Sequence, residues 1–232
     1  MQDEITKHSR KIFMTLGSSN KKILEKFREI FIEIFIIVFS VTLSIWLHGW
    51  SLQRHQQEEA TEFLTDLRDD LNKDIQNMTD KKAQMSKIIE EYSYLANLNE
   101  ARIDSLTNKN GGVGIGLYRI IRETNDGNYE GFKSSGKMGY IENKKLKKMI
   151  LEYYQENMPS IEEIEKYLNL RMDKLEELVF QDKDRKEMYL NPVFKMTLSA
   201  FIKGAQDNEK NYTAVCENAK EILAEIDKEV KE

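Results

Sequence analysis

Residues 30 to 52, IFIEIFIIVFSVTLSIWLHGWSL, contain one carboxylate (Glu33) and one histidine (His48), with no lysine, arginine or proline. A helix rises about 1.5 Å per residue, so this length covers the roughly 30 Å hydrocarbon slab of a bilayer with allowance for tilt. The inner run from Ile34 to Leu47 is apolar on every side, whereas a helix lying on a water-soluble core is apolar along one stripe. Trp46 and Trp50 stand towards its C-terminal end, where indole rings favour the headgroup boundary. The stretch predicts a transmembrane helix with Trp46 and Trp50 as interfacial anchors. It divides the chain into a short basic segment (1–29), the span (30–52) and a main domain (53–232).

The flanks give the span a direction. Arg10, Lys11, Lys21, Lys22, Lys26 and Arg28 precede it closely, whereas residues 53–72 contain Arg54 and Arg68. Basic residues in short flanks stay in the cytoplasm. The N-terminus is therefore expected inside and the main domain outside a cytoplasmic (inner) membrane, with lipid as the span's partner. A cleaved signal peptide has a shorter apolar core, about 7–15 residues, that ends at small residues. Here the first alanine after the run is Ala60, so an uncleaved anchor is expected.

The basic segment itself carries Ile5, Ile12, Phe13 and Leu16 at helical spacing. Gly17-Ser18-Ser19-Asn20 is expected to break that pattern, with Asn20 capping a new helix that enters the span. Within the span Glu33, Ser40 and Ser44 share one helix face, and Ser40-x-x-x-Ser44 is a small-residue pair that admits a second helix. Glu33, about one turn inside the cytoplasmic edge, either reaches back to the interface or joins that helix-packing face.

Residues 53–232 carry 28 Lys/Arg and 35 Asp/Glu, a net charge of 28 − 35 = −7. An acidic domain is a poor ligand for nucleic acid, whose affinity comes largely from phosphate neutralisation. Runs alternating β-branched and polar residues between turn signals are missing, and the whole chain has 2 prolines and 11 glycines, so long helices are expected. From Leu64 through Leu67, Leu71, Ile75, Met78, Met85, Ile88, Tyr92 and Leu95 to Leu106 the apolar positions follow near-heptad spacing, interrupted at Lys81, Asn99 and Arg102. A short helix is expected over Val113–Arg122 and a loop at Asn125–Asn128.

A second helical stretch begins near Glu142 and is disturbed at Pro159, where Ser160 and Glu163 form a capping-box pattern that restarts or continues it. Asp182–Lys186 reads as a charged turn. Asn191-Pro192 reads as the N-cap and first position of a last long helix, bent near Gly204. The predicted fold is all-α: one N-terminal transmembrane helix continuing into an antiparallel helical bundle or stalk, its long helices alternating in direction.

Gly131-Phe132-Lys133-Ser134-Ser135-Gly136-Lys137 fits G-x-x-x-x-G-K, but Met138 stands where a phosphate loop needs a hydroxyl, and polar residues precede it in place of a buried strand. A helix ending at Gly136 explains the same letters, and no nucleotide partner is expected. Gly111-Gly112-Val113-Gly114-Ile115-Gly116 lacks dinucleotide spacing and reads as a joint. His55 with Glu58 and Glu59 would present two groups on a shared helix face, fewer than the three or four protein ligands zinc usually takes. The paired acids Asp69-Asp70, Glu90-Glu91, Glu162-Glu163 and Glu176-Glu177 are read as solvated faces. Cys216 is the sole cysteine, so no intramolecular disulfide exists. No catalytic residue, cofactor or metal ligand is assigned.

Beyond these signals, the chain resembles a family of bacterial single-pass membrane proteins of unknown function that begin with a Glu-containing span ending in Trp. The resemblance runs through Arg28-Glu29-Ile30, Glu33, Leu43 and Trp50, then Phe63-Leu64, Leu67, Asp70 and Leu71. It resumes at Tyr129-Glu130, Lys133-Ser134-Ser135-Gly136, Ile141, Asn143, Leu146 and Tyr153-Tyr154. Members usually have a glycine-rich span and Asn-Asn before the Trp, where this chain has Phe39-Ser40, Thr42 and His48-Gly49. The resemblance implies an anchored, mostly helical outer domain and brings no activity. The expectation is a non-enzymatic module that binds a protein partner or itself; the alternative is a ligand-sensing bundle coupled to a membrane partner.

Overall fold

Helix dominates wherever apolar residues recur at helical spacing, and among the described residues there is no strand. The computed structural model describes residues 2–110, 112–181 and 184–230, of which 2–22, 26 and 110 are described in backbone alone. The helices are α1 (Gln2–Ala96), α2 (Glu100–Asn110), α3 (Gly127–Ser134), α4 (Lys144–Glu152), α5 (Met158–Gln181), α6 (Arg185–Leu190) and α7 (Pro192–Glu229). A 3-10 turn (Lys137–Tyr140) follows α3, and a π-turn (Tyr153–Asn157) joins α4 to α5. The all-α class is as expected. By internal contacts the chain divides into Met1–Gln56 and Gln57–Glu232.

In the first unit the expected break at Gly17–Asn20 does not occur, because the helix runs through it. A glycine inside a helix costs about 1 kcal/mol against alanine, too little to interrupt hydrogen bonding supported on both sides. The side chains of Ile5, Ile12, Phe13 and Leu16, and of Arg10, Lys11, Lys21, Lys22 and Lys26, lie outside the described residues. From Ile23 onward one stretch is long and apolar enough to cross a membrane, and none of that window is buried. Its one back-bonded hydroxyl among those described, Thr42, donates to the Val38 carbonyl at 2.7 Å, the bond to the carbonyl four residues back that threonine makes in helices. Phe35 and Phe39 stack one turn apart, and Arg54 lies 5.9 Å from the Trp50 ring centre.

In the second unit the expected seam is the core: Leu64, Leu67, Leu71, Met78, Met85, Ile88, Tyr92 and Leu95 are buried. The helix stops at Ala96 rather than continuing to Leu106. Asn99 restarts it, its side chain accepting from the Arg102 amide at 2.9 Å. Asn191 caps α7 as the sequence led us to expect, with Pro192 opening that helix, and Asn143 caps α4. Of the charged turn, Asp182 and Lys183 lie outside the described residues, Asp184 caps α6, and Arg185 and Lys186 belong to that helix.

Around Pro159 the chain stays helical, and the disturbance lies upstream as the π-turn. Proline has no N–H and crowds the carbonyl four residues back; the wider turn, in which the Met158 amide reaches the Tyr153 carbonyl, accommodates both. Gly204 marks a close approach within a helix that runs through it. A Cβ there would come within 2.9 Å of Leu168 Cδ2 on α5.

Cross-bundle contacts give the helix directions. Arg68–Asp227 and Lys82–Thr213 set α1 antiparallel to α7, and Tyr212–Glu165 with Gly204–Leu168 sets α7 antiparallel to α5. Tyr153–Asp74 and Tyr92–Met172 set α4 and α5 parallel to α1. The long helices therefore do not simply alternate. Between α1 and α4 the return is made by residues 113–126, which form neither helix nor strand. The short helix expected over Val113–Arg122 is thus replaced by extended chain, and Gly127 and Asn128 of the expected loop open α3.

Candidate functional site

An extended segment lying on helices has no ladder to satisfy its amides and carbonyls, and buried ones must be paired. Side chains pair them here. Glu91 Oε1 accepts from the Gly116 amide at 2.8 Å, and the Tyr92 hydroxyl donates to the Gly116 carbonyl at 2.7 Å. Asn169 of α5 serves both groups of Ile120: its Oδ1 accepts from the amide and its Nδ2 donates to the carbonyl, each at 2.8 Å. The Tyr189 hydroxyl donates to the Val113 carbonyl at 3.2 Å. A Cβ on Gly116 would collide with the end of the Tyr118 ring, so a side chain there would displace Tyr118 from its place beside Glu91.

The segment's own side chains complete the strap. Tyr118 donates to Glu91 Oε2 at 2.8 Å, Arg119 pairs with Asp173 and Glu176, and Arg122 Nε reaches Glu165 Oε1 at 3.1 Å. Asn125 donates to Asp74 Oδ1, and Asn128, in the first turn of α3, donates to Asp70 Oδ2, both at 2.8 Å. Along the strap the partners descend α1 from Glu91 to Asp70 and α5 from Glu176 to Glu165. The strap therefore occupies the groove between these two helices.

Beneath it lies a buried polar cluster. Asp74, 1 % exposed, also accepts from the Tyr153 hydroxyl at 3.0 Å, and Tyr153 is presented by the π-turn. Burial raises the Asp74 carboxyl above its ordinary range, against the pull of the Asn125 and Tyr153 bonds and of the Arg122 charge. Burial, then the Asp74 charge, pushes both the Tyr153 and Tyr154 phenols up. Tyr154 stacks on Tyr129 with ring centres 4.3 Å apart, and Gln155 donates to the Tyr129 hydroxyl at 2.7 Å.

Deeper, Glu165 accepts from both Arg122 and Tyr212, with the Arg122 and Glu165 side chains 2 % and 8 % exposed. Such a pair is a poor net stabiliser but costs about 3–5 kcal/mol to break one-sidedly, because the remaining charge is buried alone. Arg122 Nη1 and both amide atoms of Asn208 are buried without partners among the described residues. Buried polar groups of this kind are the usual hosts of an internal water.

This geometry corrects the reading of the paired acids as solvated faces for three of the four pairs, whereas Glu162 and Glu163 are both exposed as expected. Asp70, Glu91 and Glu176 each turn towards the strap and bind it, while Asp69, Glu90 and Glu177 remain exposed. Sequence reasoning also missed Asp74, Arg122, Glu165, Tyr212 and Asn208. A faint signal existed, since Asp70 and Asp74 sit one turn apart among Leu67, Leu71 and Met78, on the apolar face itself.

The other singled-out residues stand apart from the cluster. Glu33, Ser40 and Ser44 fall within about 40° of one another around α1 at 100° per residue, and all are exposed, as are Trp46 and Trp50. The Gly131–Lys137 string closes a helix instead of opening one. The Ser135 and Gly136 amides bind the Gly131 and Lys133 carbonyls, and Gly136 takes the left-handed conformation, φ 75°. Lys137 pairs with Glu59 at 2.9 Å. Of the glycine joint, Gly111 lies outside the described residues. Among the described residues no group of three or more His, Cys, Asp or Glu side chains converges on a metal-sized space.

Comparisons with family models, with curated proteins and with solved structures find no match to this chain. The carboxylates of the cluster are spent on Asn125, Asn128, Tyr153, Arg122 and Tyr212, and the arrangement fixes the strap in register between α1 and α5.

Proposed function

We propose that the chain is a single-pass membrane protein, N-terminus in the cytoplasm and residues 53–232 outside, whose helical domain binds another protein or a second copy of itself without catalysing a reaction. The observation that carries this is the apolar belt of residues 30–52. Ile34 to Val38, Ile45 and Trp46 are each more than half exposed, and a contiguous apolar surface of that extent is incompatible with water. Lipid covers it most simply. The resemblance noted above implies the same anchored, helical arrangement.

The interaction reading rests on apolar side chains that the domain leaves outside its own core. Ile121 on the strap, Leu170 and Phe180 on α5, and Met196 on α7 are 69 %, 67 %, 76 % and 67 % exposed. Within the span, Ser40 and Ser44 supply a surface narrow enough for a second helix. A photo-crosslinking amino acid placed at Leu170, Phe180 or Ser44 of the membrane-embedded protein tests it. Discrete adducts from at least one outer position and from Ser44 are expected. A chain that crosslinks to lipid alone at Ser44 and to nothing at Leu170 and Phe180 is a partnerless monomer, and the reading fails.

A further inference from the structure

Where the strap crosses the upper part of α1 it does not close down fully, and a cavity of about 480 Å³ remains between residues 81–91 and 117–120. That volume lies within the roughly 300–1,000 Å³ range of small-molecule sites. Met85, Ile88 and Ile120, all buried core residues, form its floor with Leu117. Lys81 and Lys87 stand on its α1 side and Arg119 on its strap side.

The charges around it are unequal in how far they are committed. Glu91, the one acid in the lining, already accepts from the Gly116 amide and the Tyr118 hydroxyl. Arg119 is held by Asp173 and Glu176. Lys81 touches Gln84 at 3.5 Å, a marginal contact, and Lys87 makes no ion pair or hydrogen bond among the described residues. Lys81 and Lys87 thus line an apolar floor whose one carboxylate, Glu91, is already taken up by the Gly116 amide and the Tyr118 hydroxyl.

We propose that this cavity binds a soluble anionic amphiphile, a carboxylate on a compact hydrocarbon body. The hydrocarbon lies on Met85, Ile88, Leu117 and Ile120, and the carboxylate is held by Lys81 and Lys87. The apolar floor supplies affinity by removing hydrocarbon from water. The lysines select the charge, and a neutral twin loses their contribution. Bound there, the ligand bridges α1 and the strap. The site is independent of the protein-binding reading, because it uses none of the exposed apolar residues on which that reading rests.

The test uses the full chain in phosphatidylcholine nanodiscs, with 4-phenylbutyrate as the probe and 4-phenylbutanol as its neutral twin. Saturation-transfer NMR is read against empty nanodiscs. Phenylbutyrate is expected to bind saturably, and the alcohol about tenfold more weakly. The double substitution Lys81→Glu, Lys87→Glu should weaken phenylbutyrate by about tenfold or more while leaving the melting temperature unchanged. Gln84→Trp, which keeps both lysines but fills the mouth, should abolish binding of both probes.

Equal binding of acid and alcohol, or acid binding indifferent to both variants, overturns the proposal. So does the absence of saturable binding. Repeating the titration with a minority of phosphatidylglycerol in the disc separates the possible sources of the anion. An unchanged affinity supports a free ligand, whereas loss of the phenylbutyrate site means that lipid is the occupant and the proposal is wrong.

Discussion

Burying Asp74 behind Asn125 and Tyr153 makes its contribution to stability depend on pH. Its carboxyl is raised in the folded state, so between the unfolded value and the folded one the folded protein holds the extra proton. The cost of ionised Asp74 is therefore present in full above the folded pKa and is relieved as pH falls through it towards about 3.8. Glu162 and Asp207, held low by Lys166 and Lys210, pull the other way and lose their contribution in acid. The difference between wild type and Asp74→Asn cancels those exposed carboxylates. The asparagine keeps an acceptor for one neighbour, and the Tyr153 hydroxyl is free to accept from its amide. Asp74→Asn should be at least as stable as wild type at neutral pH, within about 1 kcal/mol, and its advantage should shrink on acidification. Thermal melts of the full chain from pH 7 down to about pH 4 check this; an Asp74→Asn advantage that grows in acid reverses the sign and refutes the burial argument.

At the scale of elements, the strap shows tertiary contacts overriding local preference. Leu117 to Arg122 is apolar and basic enough to coil, yet it lies extended because Asn169 takes both backbone groups of Ile120 and because the chain must return before α4 can run parallel to α1. Asn169→Ala strips both partners from Ile120, leaving part-buried groups unpaired at about 1–3 kcal/mol each. Hydrogen exchange should quicken at the Ile120 amide and its strap neighbours while the α7 core amides keep their protection. A strap whose exchange is unaltered is held by something other than Asn169. The same contrast explains what the sequence discloses. The seam on α1 repeats every three or four residues, and the Asn191 cap acts on the Val193 amide two residues on, so both are legible locally. The bonds Arg122–Glu165, Asn125–Asp74 and Asn128–Asp70 join residues 43, 51 and 58 positions apart, and nothing local marks one acid of a pair as the buried one. The π-turn was legible only in part: Pro159 announces a disturbance, but its displacement upstream, where it aims Tyr153 at Asp74, follows from packing.

For the whole molecule, the proposed topology turns on a difference in basic residues between the two flanks of one span: Arg10, Lys11, Lys21, Lys22, Lys26 and Arg28 before it, Arg54 and Arg68 after it. The charge bias acts through the cost of moving lysine and arginine across the membrane, so the side carrying more of them stays in the cytoplasm. A direct reading is possible because Cys216, the only native thiol, is buried and its pKa is raised by that burial, which keeps it from reacting as a thiolate. Introduced cysteines therefore report alone. Glu25 and Phe180 are both exposed, and in the chain one precedes and the other follows residues 30–52. In spheroplasts a membrane-impermeant maleimide should label Phe180→Cys and leave Glu25→Cys untouched until the membrane is opened with detergent. The reverse pattern inverts the topology. Labelling of neither before lysis and of both after it, with the chain recovered in the soluble fraction, means that something other than lipid covers the apolar belt, and the membrane reading must then be given up.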